Sequence, residues 1–307
     1  MAARIPSTIC SAVNRRLALL AAVALLSAAQ ALGGSAAPPA GIGLVTLRLV
    51  DTSRTIQLPG SAVKPRTLLT SVRYPLGLPG AHPLVVFGHG FASTPALYRS
   101  LLEAWTRAGY VVAAPLFPLE NALAPGGPNE RDLINQPADM RFVVSRLLEL
   151  NAAAGNRLSG RIDPAEIAVA GHSDGGETAL AVAFGGSRFR DRRVRAAVIL
   201  SGAELSGRGV MDLRAPGPAL LAVQGTRDAI NPPKYTNVFY AAAPRPKFLL
   251  RLLGVGHLPP YTSQQPQLDV VERVTIAFLD RYLKGAQLAP LIAAGSVPPI
   301  ADLEARP

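Results

Sequence analysis

A serine framed by glycines, Gly171-His172-Ser173-Asp174-Gly175, is the sharpest chemical signal in the chain. A short apolar run, Ile167 to Ala170, leads into it, and an Ala-rich helical stretch, Gly175 to Phe184, leads out. The spacing has a steric reason. A serine on a tight strand-to-helix turn needs glycines two residues to either side, where backbone and helix nearly touch. Such a turn lifts the hydroxyl above a sheet and aims a helix N-terminus at the reacting carbon, where partial positive charge favours an oxyanion.

A serine hydroxyl is a weak nucleophile until a base takes its proton. The chain offers four histidines, His82, His89, His172 and His257. His172 abuts the serine and is expected to point away from the turn. His89 sits in a Gly-His-Gly turn, and His82 precedes Pro83 at a strand entrance. His257, in Gly254-Val255-Gly256-His257, follows the last strand-like run, where a loop can swing it over Ser173. That position makes His257 the expected base. An acid must then hold the imidazole in the right tautomer. Asp228, in Gly225-Thr-Arg-Asp at the end of the strand-like run Ala219 to Val223, is the favoured candidate, and Glu204 is the rival. With Asp228 the order Ser, Asp, His falls on successive strand ends.

Tetrahedral intermediates need hydrogen-bond donors as well. The backbone N–H of Asp174, next after the nucleophile, is one candidate for the oxyanion hole. The second is the N–H of Phe91, in Gly88-His89-Gly90-Phe91, where the two glycines let the backbone turn inward.

The elements that must position these residues alternate along the chain. Strand-like runs are expected at 45–50, 67–74, 84–87, 110–114, 167–170, 196–200, 219–223 and 248–252. Helical patterns are expected at 96–107, 137–150, 175–184 and 268–283. Strands separated by helices imply an α/β fold, with a mostly parallel central sheet covered by helices on both faces. Residues 115–135 form a Pro-, Gly- and Asn-rich loop long enough to wall a site. The connection 201–218 is too short, and too rich in Gly and Pro, for a helical cap, so no large lid domain is expected. The domain is expected over 44–285, with a loosely held Pro/Ala-rich tail over 286–307.

The N-terminus is of another kind. Arg4, Arg15 and Arg16 precede the apolar run Leu17 to Ala29 and an Ala29-Gln30-Ala31 site, and no acidic residue occurs before Asp51. This describes a secretory signal peptide over 1–31, with cleavage as late as 37 as an alternative, followed by a linker over 32–43. The run is well short of the roughly 20 apolar residues that span a bilayer, so no stable membrane anchor is expected after cleavage. The paired arginines leave open the twin-arginine route beside the general one. The expected location is secreted or periplasmic. The one cysteine, Cys10, would leave with the leader, so the mature chain is expected to hold no disulfide, cysteine-rich metal site or thiol nucleophile.

The chain has 307 residues and a formal charge of +11. The excess suits solubility and anionic surfaces. The Arg-dense stretch 188–195 is broken by apolar residues and carries no nucleic-acid motif, so no nucleic-acid partner is expected. No cofactor is expected, and no metal, because no two histidines or carboxylates sit at ligand spacing around a shared strand end.

The mature chain as far as its last helical pattern resembles the α/β-hydrolase superfamily. More narrowly it resembles the dienelactone hydrolase, cutinase-like polyester hydrolase and platelet-activating-factor acetylhydrolase group. The resemblance rests on Arg73-Tyr-Pro, Leu84-Val-Val-Phe-Gly-His-Gly-Phe, Gly109-Tyr-Val-Val-Ala-Ala-Pro, the serine turn, Gly225-Thr-Arg-Asp and Gly256-His257. It implies that Phe91 lines the acyl site, and it makes the position before the serine, His172, a second substrate-binding candidate. Two departures stand out: His172 replaces the usual Trp of cutinase-like enzymes, and Asp174 replaces an apolar residue. The resemblance implies a serine carboxylic-ester hydrolase, with a peptidase or amidase and a polyester hydrolase as alternatives on the same fold; the leader pattern adds export, and the absence of a lid adds a preference for short-acyl or small esters.

Overall fold

The computed structural model describes residues 41–307, apart from 59, 61, 206–210, 214 and 215. The expected signal peptide, most of the linker and Cys10 therefore lie outside the described residues.

Nine strands form one sheet in the order β1-β2-β4-β3-β5-β6-β7-β8-β9. They are β1 Gly41–Ile56, β2 Lys64–Leu76, β3 His82–Gly88, β4 Val111–Leu116, β5 Ile162–His172, β6 Val194–Leu200, β7 Ala219–Gly225, β8 Lys247–Leu252 and β9 Ala301–Arg306. The six central strands, β4, β3, β5, β6, β7 and β8, run parallel. The β1–β2 hairpin and β9 close the two edges antiparallel.

Helices cover both faces, and the side-chain alternation of the strands shows why. In β3, Leu84 and Val86 enter one buried cluster with α2 (Gln136–Ala152), α3 (Asp174–Phe184) and α4 (Pro233–Ala242). The intervening Val85 and Phe87 enter the other, with α1 (Arg99–Arg107), α5 (Gln267–Leu283) and α6 (Ala289–Gly295). Because both faces are dry, these strands read as continuous apolar runs rather than as alternating ones. Burying each such Leu, Val or Phe contributes about 1.5–3 kcal/mol. Trp105 of α1 is fully buried and donates from Nε1 to Thr275 Oγ1 of α5 at 2.8 Å, which satisfies the one polar atom it carries into the core.

Two expectations are corrected. The segment 286–307 is not a loose tail. It forms α6 and β9, and β9 pairs with β8 from Lys247↔Arg306 to Leu252↔Ala301, covering what would be an open edge. The first strand likewise begins at Gly41, inside the expected linker. Helix α4 was not expected at all. Its buried face is Thr236, Phe239 and Tyr240, while the apolar Tyr235 and Val238 are exposed, so a period read from apolar residues alone is blurred in so short an element.

The 115–135 loop is anchored. Its end is a 3-10 helix, Glu130–Asn135, capped by the Asn129 side chain. The buried Arg66 guanidinium of β2 binds Asp132 at 3.0 and 2.6 Å and Asp139 of α2 at 2.7 and 2.6 Å, locking the loop to sheet and helix. Among the described residues no cap is inserted between β6 and β7.

Candidate active site

Ser173 sits between the end of β5 and the start of α3 with φ 54° and ψ −123°, a left-handed conformation that non-glycine residues rarely adopt. The strain holds because the neighbouring backbones leave no other path. A Cβ on Gly171 would run into the Gly175 carbonyl, and one on Gly175 into that of Gly88. The Ser173 N–H is fixed to the Leu200 carbonyl at 3.0 Å.

Three residues predicted from sequence meet here. Ser173 Oγ lies 2.9 Å from His257 Nε2, and His257 Nδ1 lies 2.8 Å from Asp228 Oδ2. The carboxylate can only accept, so Nδ1 carries the hydrogen and Nε2 presents its lone pair to the serine. Asp228 is buried, and its other oxygen accepts the N–H groups of Ile230 at 3.0 Å and Asn231 at 2.9 Å. Burial opposes its ionisation, but the His257 bond and these donors outweigh that and hold the carboxyl below its ordinary pKa. The rival acid, Glu204, lines a separate hollow with Glu177, Asn231, Tyr235 and Val238.

The N–H of Asp174 is among the first of α3, where helical geometry leaves it without an internal partner. Among the described residues no backbone acceptor takes the Phe91 N–H, and the Phe91 side chain is exposed. The turn that presents it is held by His89, which donates from Nδ1 to the Gly90 carbonyl at 2.9 Å and accepts the Phe117 N–H at Nε2. Burial depresses the His89 pKa to about 4, so the ring is neutral.

The substrate-binding expectation for His172 is corrected. The residue is only 2% exposed, and its ring lies against that of His257 with centroids 4.6 Å apart and planes tilted by 50°. Both its nitrogens are bonded inside the protein, to Tyr98 Oη and to the His257 carbonyl. Burial, with the neighbouring His257 adding to it, pushes its pKa down to about 3.

Four residues near the site escaped the sequence reading. Gln224 reaches Asp228 Oδ2 at 3.3 Å, and an amide inside the apolar strand ALLAVQG was the available signal. Tyr261 lies under His172 and shares a 2.8 Å bond with Ser201 Oγ, while Tyr98 contacts His172 directly. Neither tyrosine has a sequence signal beyond being aromatic. The fourth is Glu120, a carboxyl in the 115–135 loop. It is almost fully buried and neither of its oxygens has a donor, and the same is true of Asp174 Oδ2. Burial, with the adjacent Asp174 carboxyl adding to it, pushes Glu120 up to about 11. Glu120 is therefore a neutral acid at physiological pH, with its proton available to Asp174.

Comparison with known proteins bears on the same region. A family model described as chlorophyllase matches residues 47–201, a span that includes the serine turn and ends before Asp228 and His257. Among solved structures the chain is similar to a ferulic acid esterase from Streptomyces cinnamoneus. The match has 23% identity and a TM-score of 0.67, and it covers 88% of this chain and 98% of that one. At that identity the likeness is one of fold. No curated protein sequence matches the chain.

Proposed function

The chain belongs to the chlorophyllase family, within the α/β-hydrolase superfamily, and from that premise we propose that it is a serine ester hydrolase working through an acyl-enzyme on Ser173. The observation that carries the reading is the unbroken hydrogen-bonded line from Asp228 through His257 to Ser173, with contacts of 2.8 and 2.9 Å.

His257 Nε2 takes the Ser173 proton as Oγ bonds to the ester carbonyl carbon. The carbonyl oxygen gains the negative charge and lies against the N–H groups of Asp174 and Phe91. Collapse of this intermediate breaks the bond to the alcohol oxygen, which receives the proton from His257 and departs. Water then attacks the acyl-enzyme with His257 again as base, releasing the acid and restoring the Ser173 hydroxyl. The ionised Asp228 stabilises the imidazolium in both steps without itself being protonated.

The substrates that fit best are small, short-acyl esters, because among the described residues no cap between β6 and β7 stands ready to enclose a long acyl chain. Export by way of residues 1–31 is part of the same proposal. It rests on the charge and apolar pattern of that segment.

The test is turnover of p-nitrophenyl acetate together with labelling by a fluorophosphonate probe. Wild type should turn over and label once. Ser173→Ala should lose on the order of 10⁶ in kcat and all labelling. Labelling at another serine, or full activity in the variant, would refute the reading.

A further inference from the structure

Behind the reacting atoms lies a second hydrogen-bonded chain that the mechanism above does not use. The Gly90 N–H, in the turn that presents Phe91, donates to Tyr98 Oη at 3.3 Å. Tyr98 Oη lies 2.8 Å from His172 Nδ1, and His172 Nε2 lies 2.9 Å from the carbonyl oxygen of His257. Resting on the serine-hydrolase reading, we propose that Tyr98 and His172 are positioning residues that tie the loop of the oxyanion donor to the loop of the base through this relay.

The direction of every bond follows from elementary donor and acceptor rules. A backbone carbonyl can only accept, so the hydrogen of His172 is on Nε2 and points at His257. Nδ1 then carries a lone pair, and the Tyr98 hydroxyl must donate to it. The tyrosine oxygen is left to accept, and Gly90 supplies the N–H. A neutral ring fits this pattern. A second hydrogen on Nδ1 would face the Tyr98 hydroxyl, which would then have to turn its own hydrogen elsewhere.

Packing supports the same reading. Tyr98 and His172 are buried, at 0% and 2% exposure, and their rings lie 5.5 Å apart. Gly90 approaches so closely that an added Cβ would stand 3.2 Å from His172 Nδ1, 3.2 Å from Ser173 Cβ and 3.3 Å from Tyr98 Oη. A histidine that merely filled space would not need one nitrogen matched to the loop of the base and the other to a tyrosine that itself holds the oxyanion turn. Displacing either loop by about 1 Å costs catalysis up to about a hundredfold, which is the scale on which such a tie matters.

The experiment uses the full chain and p-nitrophenyl acetate, with Tyr98→Phe, His172→Phe and the double variant. Each single change should lower kcat about ten- to a hundredfold while KM stays within about twofold. The double variant should be no worse than the worse single, because one relay can be broken only once. His172→Gln, whose amide can still donate toward the His257 carbonyl, should recover part of the His172→Phe loss, and His172→Asn should recover none. Losses that multiply in the double variant, or unchanged kcat in the singles, would overturn the relay.

A second measurement needs no turnover. Nitrogen-15 shifts of the wild-type histidines should show His172 as the neutral Nε2–H tautomer from about pH 5 to 9. An Nδ1–H tautomer overturns the relay even in an active enzyme. Absence of wild-type turnover would instead refute the hydrolase reading, and the tautomer would still decide the relay.

Discussion

Asp228 and His257 stand 29 residues apart in the chain, yet Oδ2 of one meets Nδ1 of the other at 2.8 Å. The pair forms because β7 and β8 are parallel neighbours, so both following loops emerge at the same edge of the sheet. Asp228→Asn should leave the fold intact and lower kcat on the order of 10⁴-fold, since an amide can present its N–H and stabilise the wrong tautomer. Glu204→Gln should leave kcat within about twofold, as expected of a change with no contact to the base. Steady-state kinetics on the two variants decides the matter, and the reverse order would make Glu204 the acid.

Access to Ser173 sets the second prediction. The 115–135 loop is tied to the oxyanion turn by Ala92 N–H to the Glu120 carbonyl at 3.0 Å and Ala122 N–H to the Ser93 carbonyl at 3.1 Å. A wall held this way does not behave as a mobile lid. An open cleft gives the far methylenes of a long acyl chain little apolar surface to bury. Rates on p-nitrophenyl esters should therefore fall beyond roughly six to eight acyl carbons. No jump should occur at the solubility limit of the substrate. Sharp interfacial activation would contradict this.

Glu120 makes stability depend on pH. Its folded pKa of about 11 lies above the reference value of 4.5, so the unfolded chain releases a proton that the native chain keeps. By linkage, its contribution to stability falls as pH rises through that window, by up to about 1.4 kcal/mol per unit. Glu177, raised to about 8 by burial and then by the charges of Asp174 and Glu130, acts in the same sense below pH 8. Glu120→Gln should flatten the slope, so its melting temperature should gain on wild type between pH 6 and pH 9. Parallel melting curves across that range would show that the proton is not there.

The last segment should prove structural. Ending the chain after Lys284 removes α6 and β9, uncovers the β8 edge and exposes the partners of the buried Leu291 and Ala301. The truncated protein should lose at least about 2 kcal/mol of stability or aggregate through the bare edge. Urea unfolding with light scattering distinguishes this from a dispensable tail, which would change neither.

Export is testable on secreted material. Mass spectrometry should place the new N-terminus just after Ala31, or as late as Ala37, in a chain that holds no cysteine. Thermal unfolding of that chain should be the same with and without reductant. An intact leader on a membrane-bound product would refute export.

Local sequence determined the elements whose signal is local. The apolar runs at Leu84–Phe87 and Ile167–Ala170 are legible as buried strands because both faces of a parallel sheet are dry. The serine turn is legible because its glycines answer a steric demand within five residues. Order along the chain was enough to bring Ser173, Asp228 and His257 together on paper, since parallel strands deliver their loops to one edge. Tertiary structure decided what depends on contacts between distant segments. The edge strand β9 has no strong pattern of its own and exists because β8 offers it an unpaired row of donors and acceptors. His172 looked like a substrate contact from its place beside Ser173, but Tyr98 and the His257 carbonyl, 74 and 85 residues away, claim both its nitrogens. Glu120 reads as one more polar loop residue until burial against Asp174 keeps it protonated. In each case the deciding partner is remote in sequence, and side-chain chemistry takes its state from the neighbours that only the fold supplies.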